Sequence, residues 1–67
     1  MSLDPRIVAL SPWQRIVYDL CWSVGVSSDT AVIQAKGAEL DRMKAERPEE
    51  YEKAFRVWEQ IMYEVLY

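Results

Sequence analysis

Apolar residues recur at helical spacing in three stretches of the chain. In the first, Trp13, Ile16, Val17, Leu20, Cys21 and Val24 fall on one stripe. Ser11-Pro12-Trp13-Gln14 stands before it as a helix start. Ser11 is suited to cap, Pro12 to occupy the first turn and Gln14 to complete a capping box. Gly25 supplies a stop. The pattern predicts a helix over about 12–24.

The second stretch has a weaker stripe. Ile33, Leu40 and Met43 mark one side, and Ala31, Ala35, Ala38 and Ala45 are small. Ser28 or Asp29 can cap its start, so the predicted helix runs over about 29–46. Gly37 sits inside it at a cost of about 1 kcal/mol relative to Ala. Two readings follow: close approach of another backbone, or a break in the helix.

Arg47-Pro48 marks a boundary, because the residue before a proline avoids the helical region. Beyond it Tyr51, Ala54, Phe55, Trp58, Ile61, Met62 and Val65 form the clearest stripe, and predict a helix over about 48–66. Glu49 with Lys53 and Glu52 with Arg56 are spaced to pair across one turn. At the other end Asp4-Pro5 can open only one short helical turn before Ser11. The expectation is an all-α, three-helix domain with a short N-terminal turn, and no strand.

Composition narrows the chemistry. The chain has 67 residues, no His and a single Cys, which leaves no imidazole base, no disulfide framework and no ordinary zinc site. Cys21 lies on the apolar stripe of the first long helix, where a thiol is inert. One reduced cysteine fits a cytoplasmic protein. No apolar run is long enough to span a membrane, and the first residues do not read as a secretory signal. Glu49, Glu50 and Glu52 form an acidic patch, but one helix start does not build the cleft that paired catalytic carboxylates or a cation site need. No phosphate-binding loop or nucleophile elbow is present. The expectation is a non-enzyme with no cofactor and no metal.

The net charge of −3 is uneven. Residues 1–38 hold three acids and three bases, whereas residues 39–67 hold eight and five. Such a small chain buries only about 60% of its unfolded surface. Three Trp, four Tyr and one Phe are a large aromatic load for that core and favour a homodimer or a docking surface. Tyr18 and Trp22, with Arg15 and Asp19, are read as one patch lying away from the stripe. Tyr63 and Tyr67 are read as another, because aromatics and Arg are enriched at binding hot spots.

The segment Leu20-Cys21-Trp22-Ser23-Val24-Gly25-Val26-Ser27-Ser28-Asp29-Thr30-Ala31 resembles the helix-turn-helix of transcription regulators. The resemblance places Cys21 as the small residue of the first helix, Gly25 in the turn and Thr30 at the head of a recognition helix. It covers about 20 residues and implies DNA binding. Gln34 departs from it by standing where an apolar residue should turn inward, and the following helix is poor in bases in an acidic chain, so a nucleic-acid partner is not the expectation.

The leading expectation is a non-catalytic protein-interaction module, acting as a homodimer or as an inhibitor or adaptor on a larger protein. The alternatives are an acidic decoy of the phage anti-CRISPR kind, a helix-turn-helix regulator and a structural subunit of a larger assembly.

Overall fold

In a computed structural model, which describes residues 4–66, the chain is all-α. Four helices follow in order: α1 (Pro5–Val8), α2 (Pro12–Val26), α3 (Thr30–Glu46) and α4 (Pro48–Leu66). No strand occurs among the described residues, and no helix of theirs is long and apolar enough to cross a membrane.

Each start is built by the residues that predicted it. The Asp4 carboxylate accepts from the Arg6 N–H at 2.8 Å and caps the single turn of α1. Ser11 Oγ accepts from the Gln14 N–H at 3.2 Å, and Gln14 Oε1 accepts from the Ser11 N–H at 2.9 Å, which completes the capping box of α2. Asp29 caps α3 through the Ala31 N–H at 2.9 Å. Arg47 alone separates α3 from α4. Its N–H donates back to the Met43 carbonyl and its own carbonyl accepts from the Tyr51 N–H, so one residue turns the corner without an orphaned backbone group of its own.

The helix α2 is central. It packs most extensively on α4, next on α3, and the α3–α4 interface is the thinnest of the three. The core consists of Leu10, Val17, Tyr18, Cys21, Leu40, Met43, Ala54 and Ile61. Val17 and Ala54 are fully enclosed, one on each of the two helices that pack most closely.

Three sequence expectations change. The buried face of α2 is Gln14, Val17, Tyr18 and Cys21, whereas Ile16 is 52% exposed. Val17 and Cys21 of the expected stripe are buried and Trp13, Leu20 and Val24 pack against the core, but the face is widened by Gln14 and Tyr18, whose polar atoms hydrophobicity does not count. Gln14 is buried at 5% exposure because its amide serves both the cap and α4: Nε2 donates to the Glu50 carbonyl at 3.4 Å. On α4 the expected stripe holds from Tyr51 to Met62, but Val65 is 68% exposed.

Second, Gly25 does not stop α2. The helix continues through Val26 and ends where Ser27 turns extended. A Cβ on Gly25 would lie 3.1 Å from Cζ2 of Trp58, so the missing side chain admits that indole. A close approach, one of the two readings offered for Gly37, occurs instead at Gly25, and it is made by a side chain rather than a backbone. The glycine is also inside the helix rather than in the turn, a local departure from the helix-turn-helix pattern.

Third, Gly37 neither breaks α3 nor admits a neighbour. A Cβ there would meet nothing within 4 Å, and the backbone is helical without positive φ. Gly37→Ala is accordingly expected to stabilise the fold by about 0.4–1 kcal/mol, by helix propensity and a less disordered unfolded chain. A raised denaturation midpoint at unchanged slope would show it. A lowered midpoint would mean that α3 needs its glycine.

Candidate functional site

Five aromatic rings form a continuous row through the molecule. Tyr51 and Phe55, one turn apart on α4, stack at 6.1 Å with an interplanar angle of 16°. Phe55 meets Trp58 at 5.5 Å, Trp58 meets the indole of Trp22 edge-on at 6.0 Å, and Trp22 meets Tyr18 edge-on at 6.4 Å. Edge and offset contacts of this kind suit the ring quadrupoles. The row begins half-buried at Tyr51, crosses between α4 and α2 at the Gly25 notch and ends buried at Tyr18. The Arg15 guanidinium lies over the Tyr18 ring at 5.8 Å. Trp58 Nε1 is buried and finds no hydrogen-bond partner.

This row corrects the placement of the α2 patch. Tyr18 is only 7% exposed and Trp22 is half-buried against Trp58, so neither ring stands away from the core. Of that group Asp19 remains exposed, and Arg15 is half-buried with its Nε 3.4 Å from the Asp19 carboxylate. Tyr63 is 55% exposed near the end of α4, and Tyr67 lies outside the described residues.

The other end of the row opens on the surface. Lys44, Pro48, Tyr51, Glu52 and Phe55 line a groove of about 410 Å³ at the α3–α4 corner. A second groove of about 370 Å³ shares Glu52 and Phe55 with it and continues along α4 past Arg56 to Glu59 and Gln60. Sequence reading had placed Tyr51 and Phe55 in the core stripe. Their spacing of four residues carries the signal that they stack, but not that the stack lies at the edge of the bundle.

Glu49, Glu50 and Glu52 all lie exposed on the first turns of α4. Two of the three are matched: Glu50 Oε2 is 3.4 Å from Arg47 Nη1, and Glu52 Oε1 is 2.6 Å from Arg56 Nη2. The expected Glu52–Arg56 pair therefore forms. Exposed pairs of this kind contribute at most about 1 kcal/mol, but they reduce the field that a polyanion mimic would present. Among the described residues no group of three or more carboxylates or thiols is placed to hold a metal ion.

The exposed face of α3 is mostly small: Ala31, Gln34, Ala35 and Ala38, followed by Asp41, Arg42 and Ala45. Arg42 is already paired with Glu39, and Lys36 is half-buried. A DNA backbone would find few uncommitted cations on this helix.

Cys21 is buried, and burial raises its thiol to about 11. At pH 8 the native thiol is expected to react with an aromatic disulfide reagent at least about 100-fold more slowly than in denaturant, because little thiolate forms. Comparable rates in the two states would show that the thiol is reachable.

At the opposite end of the molecule, Arg6 is forked between two carboxylates. Nη2 lies 2.7 Å from Asp4 Oδ2, and Nη1 lies 2.7 Å from Glu64 Oε2, which ties α1 to the last turns of α4. Hydrogen bonding to Arg6 holds Asp4 down at about 2 and lowers Glu64, and the same bonds raise Arg6. Both carboxylates are depressed in the folded state. Their contribution is therefore present above the ordinary carboxylate values of 3.8 and 4.5 and is lost as the pH falls toward 2. The amides of Ile7 to Leu10 are expected to lose hydrogen-exchange protection across that window before those of α3 do. Simultaneous loss would show that the clamp is not what holds α1.

No protein-family model matches the chain, and no curated protein or solved structure matches it significantly.

Proposed function

We propose that this chain is a non-catalytic protein-interaction module, an adaptor or inhibitor that docks on a larger protein through the outer face of α4. The observation that carries the reading is the open end of the aromatic row. Tyr51 and Phe55 lie half-buried in a surface groove, backed by Trp58 and Trp22. Rigid rings anchored from behind lose little conformational freedom when a partner covers them, the property that makes aromatic residues frequent hot spots. A buried, reduced Cys21 suits the reducing cytoplasm.

The test compares proteins retained by the immobilised wild-type chain with those retained by Tyr51→Ala. A partner lost with Tyr51→Ala, while the helical circular dichroism is unchanged, supports the reading. Retention of the same proteins by both would overturn α4 as the docking element.

A second reading, self-association, has its own observation. Val65 and Leu66 are 68% and 61% exposed at the end of α4, and the Arg6–Glu64 pair sets α1, with its exposed Val8, against the same turns. On this reading light scattering gives twice 7.9 kDa. Leu66→Glu then returns the mass to that of one chain. A single-chain mass at every concentration would eliminate the homodimer.

A further inference from the structure

The charged residues along the two α4 grooves alternate in sign. From the α3–α4 corner outward they run Lys44, Glu52, Arg56 and Glu59, or plus, minus, plus, minus. Glu52 and Arg56 pair at 2.6 Å within the helix. Lys44 and Glu59, one near each end, form no ion pair among the described residues. The joined grooves are therefore neutral as a whole but polar from end to end. Reversed, the series reads minus, plus, minus, plus. A copy of the same surface laid antiparallel meets an opposite charge at every position, whereas a parallel copy meets a like charge at every one. A series that is its own complement on reversal is what a two-fold interface requires, because each contact between two residues occurs there twice.

The spacing along α4 allows the same alignment. Pro48, Glu52, Phe55 and Glu59 follow one another at helical intervals, so they form one stripe. From Pro48 to Gln60 the joined grooves follow α4 for about 18 Å, at a rise of about 1.5 Å per residue. The midpoint of the stripe falls between Lys53 and Ala54. A two-fold axis there sets Glu52 and Phe55 of one copy against the partner's Phe55 and the partner's Glu52. It brings Arg56 beside the partner's Glu52, and Lys44, at the corner, toward the partner's Glu59. The half-buried Tyr51–Phe55 platform, stacked at 6.1 Å, is then covered from outside.

We propose that a second copy of the chain occupies the α4 grooves as an antiparallel, two-fold pair, held by Lys44–Glu59 contacts at both ends around a centre of Phe55 rings. The assignment rests on the reading of α4 as the docking element and names a second copy as its occupant. It engages α4 from Pro48 to Gln60, short of Val65 and Leu66. A partner of one sign fits less well, since a basic segment would meet Lys44 and an acidic one Glu59. An apolar helix would strip water from both without replacing it. An interface of about four helical turns is small for a specific contact, so the pair should dissociate on dilution and weaken with added salt.

The test is a pair of charge reversals at exposed positions, Lys44→Glu and Glu59→Lys, each made in the full chain and checked for unchanged helical circular dichroism. Mass is followed by light scattering over a roughly hundredfold range of concentration at low salt. The wild type should rise from 7.9 kDa toward twice that value. Either variant alone sets like charges against each other in two contacts, and should associate at least about tenfold more weakly. An equimolar mixture of the two variants restores both contacts and should associate as well as the wild type, as a mixed pair. No recovery in the mixture would overturn the proposal. So would an association that neither reversal touches; if Leu66→Glu then abolishes it, the contact belongs to the end of α4. If the wild type keeps the single-chain mass throughout while Tyr51-dependent capture of a larger protein succeeds, α4 remains the docking element and the second-copy assignment falls. If both fail, the outer face of α4 is not a docking surface.

Discussion

Trp58→Ala is expected to destabilise the domain by about 3 kcal/mol, the low end of the range for deleting a large aromatic, because the indole is only partly buried against the core. A domain of this length has a total stability of only about 3–10 kcal/mol, so the loss is a large share of the whole. The size of the effect follows from position. Trp58 is the ring by which α4 reaches the row on α2, with Phe55 at 5.5 Å on its own helix and Trp22 at 6.0 Å on α2. Gly25 leaves the notch that receives it, so truncation opens a void that backbone cannot readily fill. Trp58→Phe should be milder. It keeps a ring in the row and removes Nε1, a buried donor with no acceptor, whose unsatisfied state itself costs about 1–3 kcal/mol. Urea unfolding of the three proteins decides it. A loss below about 1 kcal/mol in the alanine variant would show that the row is ornamental to stability.

The two tryptophans also mark where sequence reading succeeds and where it stops. Helix starts were legible because caps are local: Ser11 with Gln14, Asp29 and Pro48 need no knowledge of the rest of the chain. The stripe on α4 was legible because only one side of that helix is covered. The face of α2 was legible only in part: Val17, Cys21, Trp13, Leu20 and Val24 lie in or against the core as their spacing predicts, but a buried glutamine and tyrosine widen the face beyond the apolar stripe. Trp22 was read as outward for the same reason. Its partner Trp58 is 36 positions away, and no local spacing connects them. The glycines show the limit most directly. Both sit in helices with ordinary φ, and only the packed structure distinguishes the one facing an indole from the one facing open space. The groove was hidden by the same logic, because Tyr51 and Phe55 belong to the apolar stripe yet lie at its edge.

Ala54→Leu is the second large effect, expected to cost about 1–3 kcal/mol through overpacking. Ala54 and Val17 are the fully enclosed residues of the two helices with the most extensive contact, and no surface remains there for extra methylenes to reach solvent. Helix propensity does not oppose the change, as Leu is nearly as good a helix former as Ala. Ala54→Gly separates packing from propensity: it removes only a methyl and should cost about 1–2 kcal/mol. The leucine variant also bears on the groove. Ala54 lies between Tyr51 and Phe55 in sequence and holds that turn of α4 against α2, so a bulkier side chain lifts the turn and displaces both rings. The folded fraction of Ala54→Leu should therefore bind the Tyr51-dependent partner more weakly than wild type. If it binds equally well while losing stability, the platform is set by Tyr51 and Phe55 alone and not by the seating of α4 on α2.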